Sequence, residues 1–165
     1  METKKILSVL LLILFLSGCN NQRSGNKNID LKEGEPVYDS VLAKKLGADP
    51  YGMKQYVMAF LLRGDKSSAD STEAAILQKA HMDNITRLAE MGKLILAGPF
   101  LDEGDLSGIY IFNVSSIEEA EKLTASDPAI RAGVLKIELH TWYGSAALQK
   151  LNELHATIQS DRITI

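Results

Sequence analysis

Cysteine is almost absent from this chain, and several other patterns that would point to common functions are missing as well. The 165 residues include one cysteine, which excludes an intramolecular disulfide and a zinc site built from several thiolates. The net charge is −3 at pH 7 and no block of basic residues occurs, whereas nucleic-acid binding needs a clustered positive face. There is no glycine-rich phosphate loop, and the three histidines and the acidic segment 102–105 lack metal-ligand spacing. We therefore expect no nucleic-acid partner, no metal and no cofactor.

The apolar run at the N-terminus is too short to cross a membrane. It extends from Ile6 to Leu16, whereas a spanning helix needs about 20 residues. Lys4 and Lys5 precede it, which is the arrangement of a secretory signal peptide. The residues that follow, Leu16-Ser17-Gly18-Cys19, resemble the lipobox of bacterial lipoproteins.

That resemblance implies cleavage after residue 18 and attachment of fatty acyl chains such as palmitate to Cys19. It places the protein in the bacterial cell envelope and leaves open which membrane holds the anchor. The alternative is an ordinary signal peptide or anchor in which Cys19 has no role. Residues 20–28 are polar and without apolar periodicity, so we expect a flexible tether.

The remaining chain has the pattern of a single α+β domain. Capping boxes begin two helices, at Asp70 and at Ser116, and Gly92 is placed to end the first of them. The predicted order is strand 55–62, helix 71–91, strand 94–97, strand 108–114, helix 117–125 and strand 134–143. This βαββαβ order is the ferredoxin-like arrangement, with a four-stranded antiparallel sheet and both helices on one face. An added amphipathic helix is expected over residues 146–159.

A sheet with helices on one face leaves the other face to be covered. Alternation along the last two strands predicts that this second face carries the aromatic residues Tyr110, Phe112, His140 and Trp142. That is too much aromatic surface to leave in water. A second copy of the sheet, as in a dimeric α+β barrel, would cover it, and so would the C-terminal helix. Periodicity does not separate these two options.

Two histidines are candidates for chemistry. His81 lies on the apolar face of the first long helix, so it needs a polar partner there. It is either a core histidine bonded to a backbone carbonyl or an acid–base group held by a carboxylate, for which Asp127 is the candidate. Asp127 is equally explained as a turn or cap residue. His140 is either a solvated or interface residue or part of a pocket with Trp142 and Tyr110, and His155 is expected at the surface.

Two stretches carry a resemblance to a known family: QKAHMDNITRLAEMGKLILAGPF and SGIYIFNVSSIEEAEKLTASDPAIRAGVLKIELHTWY. They are similar to the YciI-like (YCII-related) family over roughly Lys54 to Leu148. The specific features are His81, the turn 97–99 and the segment 127–133. The resemblance implies a dimeric ferredoxin-like α+β barrel related to muconolactone-isomerase-type barrels. It also implies an active-site histidine–aspartate pair, which falls on His81 and Asp127.

The sequence as a whole therefore predicts four regions. They are a signal peptide (1–18), a lipidated tether and extension (19–53), a YciI-like domain (54–148) and a C-terminal helical extension (149–165). The predicted function is binding of a small organic molecule by a membrane-anchored homodimer, with His–Asp acid–base chemistry of the isomerase or lyase type. The alternative is a non-enzymatic binding or assembly module of the cell envelope.

Overall fold

The computed structural model describes residues 36–66 and 70–160. The predicted signal peptide, Cys19 and the tether lie outside these residues, and the four regional boundaries stay predictions. Within the described ranges, no helix combines the length and hydropathy needed to cross a membrane. The elements are α1 (Ser40–Leu46), β1 (Met53–Arg63), α2 (Ser71–Glu90), β2 (Leu94–Pro99), β3 (Leu106–Phe112), α3 (Ile117–Thr124), α4 (Pro128–Ala132), β4 (Leu135–Ser145), a 3-10 helix (Ala146–Lys150) and α5 (Leu151–Ile158).

The four strands form one antiparallel sheet in the order β2-β3-β1-β4. β1 is central and pairs with both β3 and β4, so the two halves of the βαββαβ unit interleave. In the register, Ala59 of β1 lies opposite Tyr110 of β3 and opposite Leu139 of β4. The predicted fold class is confirmed.

The main hydrophobic core lies between the sheet and the helices α2, α3 and α4. Val57, Ala59 and Leu61 alternate along β1 on this face, because successive side chains of a strand point to opposite sides. The helices contribute Leu88 and Ala120, both almost fully buried. Burial of such apolar side chains stabilises the fold by roughly 1.5–3 kcal/mol for each large residue.

The predicted grouping of aromatic residues on the second face is wrong. Tyr110 and Phe112 belong to the helix-covered core, whereas Trp142 pairs with Tyr56 on the opposite face, which also carries His140. Alternation fixes which residues of one strand share a face. It does not fix how the faces of two strands correspond, because that depends on register, which only the fold determines.

The C-terminal segment covers part of that opposite face. Leu148 and Leu151 pack on a second cluster that contains the buried Tyr56, Ile95 and Ile111. Two polar contacts attach the segment to the sheet. Asn152 Nδ2 donates to Leu94 O at 2.8 Å, and Lys54 Nζ donates to Gln149 Oε1 at 3.2 Å. The C-terminal helix, one of the two predicted ways of covering the second face, therefore covers this part of it.

Two features differ from the sequence prediction in extent. β2 does not end before Gly98, but continues through Pro99, which pairs with Gly108. Proline is tolerated there because β2 is an edge strand and needs no second hydrogen-bonding partner. The segment after Asp127, predicted only as a break, contains the short helix α4 with Pro128 at its first turn.

Candidate active site

His81 and Asp127 are hydrogen-bonded to each other. His81 Nδ1 lies 2.9 Å from both carboxylate oxygens of Asp127, although the two residues are far apart in sequence. The pair is buried, since Asp127 is 1% exposed and His81 9%. Because a carboxylate only accepts hydrogen bonds, Nδ1 carries the proton of the neutral ring, and Nε2 is left as the acceptor.

The helices α2 and α4 position the side chains of His81 and Asp127. Asp70 begins α2 by accepting a hydrogen bond from Glu73 N at 2.7 Å, as predicted from the sequence. His81 lies eight residues after Glu73 on α2, on the buried face of the helix that also carries Asn84 and Leu88. Asp127 is the N-cap of α4, and its Oδ1 accepts from Ala129 N at 2.9 Å. One carboxylate therefore serves as a helix cap and as the partner of the imidazole.

Tyr110 is the third polar group of the site. Its hydroxyl lies 3.4 Å from His81 Nε2 and 3.4 Å from Asp127 Oδ2. These are long contacts for a hydroxyl donor, whose usual range ends near 3.0 Å. Burial raises the pKa of the Tyr110 phenol far above its ordinary value, and the negative charge of Asp127 adds to that effect. The hydroxyl therefore stays protonated and can donate a hydrogen bond to His81 Nε2 or to Asp127 Oδ2.

A polar network holds α2 to the junction of α3 and α4 one helical turn from the pair. The guanidinium of Arg87 donates to Asn84 Oδ1 at 2.7 Å and to Ser126 Oγ at 3.0 Å. Ser126 in turn donates to Leu123 O at 2.6 Å and lies 3.0 Å from Asn84 Oδ1. Since Asn84 follows His81 on the helix and Ser126 precedes Asp127, this network links the helix that carries His81 to the turn that carries Asp127.

A cavity of about 190 Å³ opens beside His81. Its size suits a small molecule, since pockets for drug-sized ligands are larger, on the order of 300–1,000 Å³. The cavity lies between one face of α2 and the region where α4 leads into β4. Its described lining residues are Ala74, Leu77, Gln78, His81, Ala129, Val134 and Leu135.

The other predicted site residues lie elsewhere. His140 is exposed on the opposite face of the sheet, where its ring meets Phe60 edge-on with centroids 5.5 Å apart. Trp142 is half-buried on that face beside Tyr56. The predicted pocket that groups Tyr110 with His140 and Trp142 is therefore wrong, because the sheet separates them. His155 lies on α5 and is exposed, and Cys19 is outside the described residues.

Sequence reasoning missed Gln78 and the Arg87 network. Gln78 precedes His81 by one turn and could have been found from helical spacing alone. The link between Asn84 and Ser126 depends on tertiary packing and left no signal in the sequence. Among the described residues, no group of three or more His, Cys, Asp or Glu side chains is close enough to hold a metal ion.

The chain matches known proteins mainly through its domain family. The family model of the YCII-related domain matches residues 57–142, just over half of the chain. No curated protein matches significantly. A solved structure of 5-chloro-2-hydroxyhydroquinone dehydrochlorinase from Burkholderia phenoliruptrix, in complex with 2,5-dihydroxybenzoquinone, is similar to this chain at 23% identity. That alignment covers 52% of this chain and 92% of the dehydrochlorinase, with a TM-score of 0.38. On the strength of the family match, this chain belongs to the YCII-related domain family.

Proposed function

We propose that the domain binds a small organic molecule in the cavity at His81 and moves a proton on it. The observation that carries this proposal is the buried hydrogen bond from His81 Nδ1 to both oxygens of Asp127. The side chain of His81 also lines the cavity. A carboxylate on one ring nitrogen fixes the tautomer and stabilises the imidazolium that forms when the other nitrogen takes a proton.

In this proposal His81 Nε2 is the general base or acid. It takes a proton from a C–H or O–H group of the ligand and returns it to a different atom, which is an isomerisation, or to a leaving group, which is an elimination. Asp127 acts through His81 and does not touch the ligand. The Tyr110 hydroxyl lies equally far from His81 Nε2 and Asp127 Oδ2, so it can donate to Oδ2 and leave the Nε2 lone pair free for the proton of the ligand.

Ligand screening of matched variants tests the proposal. His81→Asn and Asp127→Asn keep the approximate shape of each side chain and remove the imidazole or the carboxylate charge. We expect both variants to remain folded by circular dichroism and to lose binding or turnover of compounds found with the wild-type protein. Equal loss of stability in both variants, without any change in binding or turnover, would support a purely structural hydrogen bond and a non-enzymatic module of the envelope.

We further propose that acylated Cys19 anchors the domain to a bacterial membrane. The lipobox-like segment 16–19 and the polar tether after it support this proposal. More than one acyl chain is needed for stable anchoring, because a single chain gives only marginal, reversible binding. Metabolic labelling with palmitate tests it. The wild-type chain should incorporate label and sediment with membranes, and Cys19→Ser should do neither; an unlabelled wild-type chain would contradict the anchor.

A further inference from the structure

The cavity at His81 also indicates the chemical class of its ligand. Resting on the ligand-binding function proposed above, we propose that it takes an uncharged small molecule with two polar groups on an apolar frame. One polar group contacts Gln78 and the other contacts His81.

The lining has two polar positions in an otherwise apolar surface. Gln78 and His81 are polar, and the other described lining residues are apolar: Ala74, Leu77, Ala129, Val134 and Leu135. Desolvating a polar ligand group against the apolar members would cost free energy without a hydrogen bond in return. The polar groups of the ligand must therefore be placed at these two side chains, and the rest of it must be hydrocarbon-like.

The spacing of the two polar positions follows from the helix. Gln78 and His81 are three residues apart on α2, which puts their Cβ atoms roughly 5–6 Å apart on one face. Gln78 is exposed and His81 is buried, so Gln78 lies at the mouth and His81 at the inner end. The Gln78 amide can donate and accept, so it suits a hydroxyl, carbonyl or amide group on the outer end of the ligand.

The charges around the cavity disfavour an ionised ligand. None of the described lining residues is cationic, and the Asp127 carboxylate lies 2.9 Å behind His81. An anion would lose hydration without a compensating charge and would be repelled by Asp127. A cation cannot reach Asp127, which is 1% exposed and already bonded to His81 and Ala129 N. Lys66 is not among the described lining residues and lies beside Gly133, where a Cβ would come within 3.3 Å of its Cδ.

Three probe molecules that share a phenol ring test the inference on the full-length protein by calorimetric titration. They are para-hydroxybenzamide, which is neutral with two polar groups, phenol, which has one, and para-hydroxybenzoate, which is anionic. We expect the amide to bind about tenfold or more tightly than the carboxylate. Gln78→Leu should weaken binding of para-hydroxybenzamide by about threefold to tenfold, the range for one hydrogen bond, and leave phenol unchanged.

Lys79→Met is the matched control on the same helix. Lys79 is exposed and pairs with Asp83 at 2.9 Å, so its loss should alter the affinity of none of the probes. Equal or tighter binding of para-hydroxybenzoate, particularly if Lys66→Met abolishes it, would overturn the claim of an uncharged ligand. An unchanged preference for the amide in Gln78→Leu, or no binding of any probe, would also overturn the inference. The proposed function is judged separately, by the compounds that the His81→Asn variant fails to bind.

Discussion

At the scale of single residues, the buried Tyr110 phenol should make the protein sensitive to alkali. Its pKa is raised in the folded state, so its contribution to stability is complete below the unfolded value of 10.0 and is lost as pH rises above it. Tyr110→Phe removes this titration. We expect the variant to lose less stability than the wild type between roughly pH 8 and roughly pH 11 in urea unfolding.

At neutral pH the same substitution should change the free energy of unfolding by less than about 1 kcal/mol, because both hydroxyl contacts are long. Tyr56 and Tyr143 also have raised pKa values, the first chiefly through burial and the second through its hydrogen bond to Asp49. Both tyrosines are present in the wild type and in the variant, so their contributions to the pH dependence of stability cancel when the two proteins are compared. Parallel loss of stability in wild type and variant across that pH range would show that Tyr110 is not the group responsible.

The two roles of Asp127 can be separated by substitution. Asp127→Asn keeps an oxygen that can accept from Ala129 N, so the α4 cap survives while the charge opposite His81 is lost. Asp127→Ala removes both and leaves a buried imidazole donor unpaired, which we expect to cost about 2–4 kcal/mol in thermal or urea unfolding. Asp127→Asn should lose less than half of the free energy of unfolding that Asp127→Ala loses. If the two variants were equally unstable, the cap would contribute nothing.

At the scale of secondary-structure elements, the Arg87 network should control how α2 sits against the α3–α4 junction. Arg87→Met removes the two hydrogen bonds that Nη2 donates to Asn84 and Ser126, together with the Nη1 contact to Met91 Sδ, and should destabilise the protein by about 1–2 kcal/mol. Amide hydrogen exchange should quicken in α4. Arg87→Lys should restore only part of the loss, because the lysine ammonium stands one bond short of Nη2, the nitrogen that donates both hydrogen bonds. Full rescue by lysine would mean that only the charge matters.

The C-terminal segment offers a second comparison between elements. Leu148 packs on the cluster around Tyr56, whereas Leu154, on the same segment, is 50% exposed. We expect Leu148→Ala to lower the free energy of unfolding by about 1–2 kcal/mol, less than for a fully buried leucine. Leu154→Ala should stay within about 0.5 kcal/mol of the wild type. Equal effects would mean that the segment does not cover the sheet in solution.

Elements were predictable from the sequence where the signal is local. Asp70 and Gly92 mark the two ends of α2, and Gly92 adopts the left-handed φ of 67° that follows a helix terminus. α4 was not predicted because five residues are too few for helical periodicity, although Asp127 at its start and Gly133 at its end are residue types typical of helix termini. The contact between His81 and Asp127 came from family resemblance, since only tertiary packing joins residues so far apart. The same reason explains the wrong assignment of Tyr110 to the outer face.

At the scale of the whole molecule, homodimer formation stays a prediction. Beyond the area that the C-terminal segment covers, the outer face of the sheet carries the half-buried Phe60 and Ile109 beside exposed His140. A second copy placed there would bury this apolar strip. We expect light scattering at micromolar concentration to give the mass of a dimer, and Phe60→Glu to give a folded monomer. A monomeric wild-type protein would contradict the shared-sheet arrangement.

Hydron exchange measures directly whether His81 moves protons on a bound molecule. The wild-type protein and its His81→Asn and Asp127→Asn variants are incubated in deuterated water with a panel of small neutral enolisable ketones. Deuterium incorporation is then followed by NMR. With this role for His81, we expect the wild type to catalyse exchange of at least one ketone and folded His81→Asn to show none above the buffer rate. Exchange that persists at the wild-type rate in His81→Asn, or no catalysed exchange of any ketone, would contradict it.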